Sequence, residues 1–419
     1  MSFKALKSKA TVTVFVLFFV LICCLAPLTS SADTVSNVDD GFVNVEDFGA
    51  LKDDNSDDYA AFEKAIATGK NIYVPAGKFI LSKPIVIEDK IIRGANSGVS
   101  IIAANYEDKS LPIVTVKGKT TITDLYLCYF NTLISADEKQ GERVALQIGD
   151  DKRGLEAGSV VRNLFIDVVG TAIYAPENSS CNGVLFDTIE VQFFSFRGVD
   201  MRCNNRVGNT YSNFYVNNQG RYTNGDASFV LTGSEYGPVL NQINIEHGPL
   251  LYGLLLENVK NFNIGAIHFE GMGISQDDMG ILYANNSSGY IADLTYILNF
   301  IRCYNSSVIR CGNSQSNDVI RIGNINLRGV NQPDENLIKG QKGWLEELGS
   351  LSNRGLNTPQ AKTFVVFERD KDASGDYQIV YENYAFYSYW QNEYDFWKSL
   401  PTRGDISVVK STELGGTVK

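Results

Sequence analysis

Histidine is nearly absent: His247 and His268 are the only two in 419 residues. With no CxxC or HxxxH pair beside them, a multi-ligand zinc site is not expected. Positive charge is also scarce. Lys and Arg number 37 against 48 Asp and Glu, a net −11, and without Lys4, Lys7 and Lys9 ahead of the first apolar run the balance is 34 against 48, or −14. A surface this acidic repels phosphate backbones and anionic lipid, which leaves nucleic-acid binding without electrostatic support. Long helical periodicity is missing, and so are the tight two-residue hairpin turns of an antiparallel sandwich. Seven cysteines fall to five (Cys128, Cys181, Cys203, Cys303, Cys311) once Cys23 and Cys24 are set aside. An odd number at irregular spacing is no disulfide framework. Most are expected as small buried hydrophobes, with one bridge open to them in an oxidising compartment.

What the chain does have is apolar material: 44% of residues are hydrophobic and only 20% charged, enough for one large core and too much for a disordered tail. One long apolar run, Ala10 to Leu28, follows the basic start and precedes Ser30-Ser31-Ala32. That order is a secretory signal peptide over residues 1–32, and it predicts a secreted protein with no membrane contact after cleavage. The run approaches the roughly 20 residues that cross a bilayer, so tethering through an uncleaved signal anchor is the alternative.

Through the middle of the chain, short β-branched and aromatic runs recur between Gly, Asn, Ser and Asp clusters. Aligning the second inward apolar residue of each run gives Ile166, Val191, Val216, Ile245, Phe269, Ile297 and Leu327, at steps of 25, 25, 29, 24, 28 and 30 residues. Two residues earlier lie Leu164, Ile189, Phe214, Ile243, Ile267, Thr295 and Ile325, the period of a half-buried strand. Such a coil cannot bury its apolar face alone. Stacked coils share a continuous interior and pair their strands at about 4.8 Å, so the pattern predicts an all-β parallel β-helix. The division expected is 1–32 signal peptide, 33–330 β-helix with an N-terminal cap, and 331–419 a C-terminal capping region. Within the last, strands are expected near 363–368 and 377–381. The aromatic segment 384–397 is expected to seal the final coil's exposed edge.

The segment Val45-Glu46-Asp47-Phe48-Gly49-Ala50, then Asp57-Asp58 and Ala60-Ala61-Phe62, then Ile72-Tyr73-Val74-Pro75-Ala76-Gly77, resembles the opening of the pectate-lyase-like superfamily. The likeness is to its branch related to polygalacturonases, epimerases and phage tailspikes. It implies a single-stranded right-handed parallel β-helix whose open end is covered by a short helix. Asp57 and Asp58 suit that helix's N-terminus. Lys52 and Asp54 stand where the family commonly has glycines. The signature is a cap and holds no catalytic group, and this fold carries hydrolases, lyases, epimerases and silent adhesins alike.

The motifs of the relatives' active sites do not transfer. Asp277-Asp278 follows His247-Gly248 instead of preceding it, Arg321-Ile322 is followed by Gly323, and no Asn-Thr-Asp occurs. No cluster of aspartates supports a calcium site, and no cofactor is expected. The candidates are therefore the outward side chains of the aligned strands. Beside the inward positions these read Asp167, Gln192, Asn217, Glu246, Glu270, Leu298 and Arg328, and Phe165, Glu190, Tyr215, Asn244, His268, Tyr296 and Asn326.

The densest polar set is Asn244-Ile245-Glu246-His247 with His268-Phe269-Glu270. In this register Glu246 and Glu270 stand one rung apart, about 5 Å between backbones. Two carboxylates so placed can protonate a glycosidic oxygen and attack or activate water. Alternatively, His268 or Tyr215 removes a proton beside a uronate carboxylate while Arg328 or Asn244 stabilises the charge that develops. Glu246, Glu270 and His268 are the expected catalytic groups; Tyr215, Asn217, Asn244, His247 and Arg328 are the expected substrate contacts. The function expected is cleavage of a polysaccharide, hydrolysis ahead of elimination because carboxylates outnumber bases. The alternative is a non-catalytic glycan-binding or cell-surface protein on the same scaffold. Arg202, Arg328 or calcium is needed to offset the acidic surface for an anionic substrate.

Overall fold

A computed structural model describes residues 41–130, 138–204, 206–218, 225–248, 252–272, 280–299, 307–330, 365–388 and 402–411. The expected signal segment, Cys303, Asp277-Asp278 and most of the aromatic segment lie outside these residues. No helix among the described residues is long and apolar enough to cross a membrane.

The chain winds as a β-solenoid of two parallel sheets, one of 17 strands and one of 11. Each full coil contributes one strand to the smaller sheet and, to the larger, either one long bent strand or two shorter ones such as Arg206–Val207 and Thr210–Asn217. Val160–Asp167 illustrates the bend: Asn163 takes a left-handed backbone (φ 47°) between two limbs of the strand. Thr188, Asn213 and Gln242 do the same in the next three coils. Left-handed backbone is disfavoured except where a short polar side chain bonds locally, and side chains here link coil to coil. Asn163 donates to Asp124, Asn213 to Asp187 at 2.8 Å, and Asn324 to Asp293 at 2.7 Å.

After the bend, period two sends Leu164, Ile189, Phe214, Ile243 and Ile267 inward on successive rungs, followed by Ile166, Val191, Val216, Ile245 and Phe269. All ten are at most 2% exposed. The register holds through Phe269 and then departs from the expected one. In Ser288–Asn299 the inward residues are Leu294 and Tyr296, opposite Ile267 and Phe269, while Thr295 and Ile297 face outward. The cause is a one-residue irregularity between Lys260 and Phe262, where Asn261 turns left-handed (φ 54°). The segment Leu294-Thr295-Tyr296-Ile297-Leu298 is apolar in both phases, so alternation alone does not fix its register. Glycine enters the core wall where a neighbour is large: a Cβ on Gly253 would lie 2.5 Å from the Phe269 ring.

The N-terminal helix Tyr59–Ala67 packs Ala61, Phe62 and Ala65 onto the first coils. Its two preceding aspartates divide the work differently from the expectation. Asp57 accepts from the Tyr59 amide at 3.0 Å and from the Ser82 amide and hydroxyl. Asp58 makes no side-chain cap; its buried carboxylate accepts from the Leu51 and Ile80 amides, tying the helix entrance to the strand Gly77–Leu81.

Coil stacking does not end at residue 330. Val365–Arg369 and Tyr377–Ser388 pair in parallel with Ser307–Cys311 and Asp318–Val330, and Thr402–Arg403 and Ser407–Lys410 extend both sheets. The strands expected near 363–368 and 377–381 thus belong to the solenoid itself.

Among the described residues, one ion pair has both side chains fully enclosed in the stack. Arg206 and Glu235 are rung partners whose side chains are both 0% exposed. Arg206 Nε donates to Glu235 at 3.0 Å, and its Nη1 donates to the carbonyls of Met201 and Cys203. Asn209 and Tyr211 donate to the other Glu235 oxygen at 3.2 and 3.4 Å. Cys181, Cys203 and Cys311 are buried free thiols, as small hydrophobes should be; Cys128 is a partly exposed one.

Candidate functional site

The outward neighbours of the inward pairs form two parallel columns on the limb after the bend. One runs Phe165, Glu190, Tyr215, Asn244, His268, Thr295, Asn326; the other runs Asp167, Gln192, Asn217, Glu246, Glu270, Ile297, Arg328. Thr295 and Ile297 replace the expected Tyr296 and Leu298, for the register reason given above. The columns therefore place Glu246 on the rung next to Glu270, and His268 on the rung next to Asn244.

The side chains converge. Donor atoms of Glu246, His268 and Glu270 all lie within 4.8 Å of one another, and all three residues are half-buried. His268 Nε2 stands 3.5 Å from Glu270 Oε2, with the two side chains 27% and 39% exposed. Tyr215 reaches diagonally across one rung to donate its hydroxyl to Glu246 Oε2 at 2.9 Å, and Asn217 donates to that same hydroxyl oxygen at 2.7 Å. Long side chains on one face of a sheet meet diagonal neighbours in this way.

Burial pushes the Tyr215 phenol above its ordinary range; the Asn217 donor works against this and the Glu246 carboxylate adds to it. Tyr215 is thus a proton-bearing donor near neutral pH, which counts against the alternative that it removes a proton from substrate. Asn217 is buried rather than open to ligand, and Asn244 is exposed. The backbone of His247 lies in the strand Val239–Gly248, but its side chain is outside the described residues.

Two cations do not join the cluster. Arg328 is exposed two rungs from Glu270 with Ile297 between them, roughly 10 Å along the stack. Arg202 is bound to Asp200 at 2.9 Å, just past a strand of the smaller sheet, and does not face the columns. Asp200 also holds Arg197 at 2.9 Å. No sequence signal marked the Tyr215 to Glu246 bond, because it joins residues that are not rung partners.

Chemically, the site holds two carboxylates, an imidazole and a tyrosine hydroxyl on a half-buried face. The three clustered donors are also near enough to share a divalent cation. One nitrogen and two carboxylates suit a first-row transition ion better than calcium, which takes six to eight oxygens.

The family described as rhamnogalacturonase A/epimerase, pectate lyase-like, matches residues 42–247. A pre-neck appendage protein of Bacillus phage B103 is 43% identical over 61 residues, which span 14% of this chain and 7% of that protein. Among solved structures, the catalytic domain of Agl-KA matches with a TM-score of 0.55 at 16% identity, over 88% of this chain and 68% of that one. The catalytic unit of a GH87 alpha-1,3-glucanase from Streptomyces thermodiastaticus matches with a TM-score of 0.55 at 13% identity, with the same coverage of 88% and 68%. Tailspike protein 2 of bacteriophage CBA120 also matches at 0.55 and 16% identity, over 82% of this chain and 47% of that chain. At these identities the likeness is one of fold.

Proposed function

From a chain that belongs to the pectate-lyase-like superfamily of parallel β-helices, we propose a secreted carbohydrate-active enzyme that cleaves a polysaccharide across the columns holding Glu246, His268 and Glu270. The carrying observation is the convergence of these three side chains within 4.8 Å, with Tyr215 fixing one oxygen of Glu246. The alpha-1,3-glucanase among the similar folds supports a carbohydrate partner.

The spacing also bears on mechanism. Inverting glycosidases keep their carboxyl groups about 6.5–9.5 Å apart to admit a water, whereas retaining ones hold them at about 5–5.5 Å. Oxygens within 4.8 Å belong with the retaining arrangement. Glu246, one oxygen held by Tyr215, is the nucleophile in this reading, and its other oxygen attacks the anomeric carbon. Glu270 passes a proton to the leaving glycosidic oxygen and then takes one from the incoming water, with His268 beside it.

A panel of neutral and uronate polysaccharides tests the proposal, following reducing ends and the ultraviolet absorbance of an unsaturated uronate. Reducing ends alone, released with retained anomeric configuration and abolished by Glu246→Gln and Glu270→Gln in a still-folded protein, are the expected result. Unsaturated products would move the assignment to a lyase with His268 as base. Retained binding without turnover on any polymer would make this a non-catalytic glycan-binding protein. A second reading rests on the same donor spacing: a metal-assisted cleavage is lost on treatment with a chelator and restored by zinc or manganese. Secretion is tested by the N-terminal sequence of the exported protein, which should begin at Asp33.

A further inference from the structure

A second outward column lies on the first limb of the bent strands, on a different face from the carboxylates. Asn263, Tyr290 and Arg321 are rung partners on three successive coils. They line a cavity of about 510 Å³ together with Asn261, Asn317 and Asp318. That volume falls within the roughly 300–1,000 Å³ of small-molecule sites.

The lining suits a sugar acid. Tyr290 is 38% exposed in the middle rung, and no aromatic ring stacks on it among the described residues. Its hydroxyl reaches the next coil at Gly323, where a Cβ would lie 2.9 Å from the Tyr290 oxygen. An exposed ring laid toward a glycine offers a face for the apolar side of a pyranose. Arg321, also exposed, has no ion-pair partner among the described residues, although guanidinium is the group best matched to a carboxylate. The carboxylate in the cavity is already engaged: Asp318 is paired with Lys260 and accepts from the Ser314 hydroxyl at 2.9 Å. Exposed Asn261 and Asn263 supply donors and acceptors for hydroxyl groups.

We propose that this cavity is an auxiliary binding site for a carboxylated sugar, with the pyranose on Tyr290, its carboxylate on Arg321 and its hydroxyls on the asparagines. The identification of a saccharide ligand rests on the carbohydrate reading above. The cavity and the carboxylates share one strand, Val259–Met272, with Asn263 only five residues before His268. Five residues of strand span at most about 17 Å, so one oligosaccharide can hold the cavity while its neighbouring residues enter the columns.

The test is direct binding of short oligouronides, with neutral oligosaccharides of equal length as the comparison, to the full chain by calorimetry. Preferential binding of the oligouronide, weakened about tenfold or more by Tyr290→Ala and by Arg321→Gln, is the expected result. Both positions are on the surface, so unchanged thermal melting certifies the variants. Oligouronide affinity that is absent, or indifferent to both substitutions, overturns the site. Equal binding of neutral sugars that survives Arg321→Gln overturns the acidic specificity. Because binding is read without turnover, a failed polysaccharide panel leaves this result standing, and a failed binding test leaves the carboxylate site standing.

Discussion

Replacing Glu235 by glutamine should be among the most damaging single changes in the chain, although it alters neither size nor shape. The wild-type carboxylate sits entirely inside the stack, one oxygen on Arg206 and the other on Asn209 and Tyr211. The amide removes the countercharge and, whichever way it turns, sets an N–H group against a donor, the Arg206 guanidinium or the Asn209 amide. Arg206 Nη2 already has no hydrogen-bond partner among the described residues, so nothing nearby can take up the loss. Losing one charge-assisted hydrogen bond costs about 1.5–3 kcal/mol; leaving a buried charge uncompensated costs about 3–5 kcal/mol, and the second applies here. Against a domain stability of about 5–15 kcal/mol this is a large fraction. Urea unfolding followed by circular dichroism should show the midpoint fall accordingly. High salt should not rescue it, because a buried pair is poorly screened. The double variant Arg206→Met with Glu235→Leu should recover most of the loss, since apolar side chains need no countercharge. A glutamine variant that unfolds with the parent would refute the argument. Equal losses in the single and double variants would assign the effect to packing instead of charge.

Other outcomes follow from the same geometry. Tyr215→Phe should slow turnover about tenfold to a hundredfold by freeing one Glu246 oxygen, with KM little changed, in a steady-state assay on whichever polymer the panel identifies. An unchanged rate would remove Tyr215 from the site. Burial works against the Asp57 charge, but bonds from Ser82 and the Tyr59 amide, with Lys83 nearby, hold its carboxyl below the ordinary value. Its contribution is therefore present above about pH 4 and lost as acid protonates it. Asp57→Asn should cost about 1 kcal/mol at pH 7 and flatten the acid limb of the melting curve; a parallel limb would contradict this. Burial, and next the Asp167 carboxylate, push the Cys128 thiol up to about 12. Peptide mapping after maleimide treatment at pH 8 should find it slow to react despite its partial exposure, and rapid labelling would count against that environment.

Much of this was legible in the chain because alternation with period two has a physical cause: one limb of every coil must bury every second side chain. The pairs from Leu164 and Ile166 through Ile267 and Phe269 were readable on that basis, and with them the neighbourhood of Glu246, His268 and Glu270. Legibility failed where both phases were apolar, at Leu294 to Leu298, because the left-handed turn at Asn261 decides the phase from the preceding limb. It failed again for Tyr215, whose hydroxyl crosses diagonally, and for Asn263, Tyr290 and Arg321. Those three lie on the first limb of the bent strands, which an alignment of the second limb does not bring together.

Four successive coils repeat the same left-handed bend, at Asn163, Thr188, Asn213 and Gln242. A coil such as residues 160–184 carries its own bend at Asn163 and pairs in register with the next. Excising one coil below the carboxylates would lower everything above by a single storey. Hence the two outward columns would be lengthened or shortened in whole-coil increments, each coil adding or removing one rung.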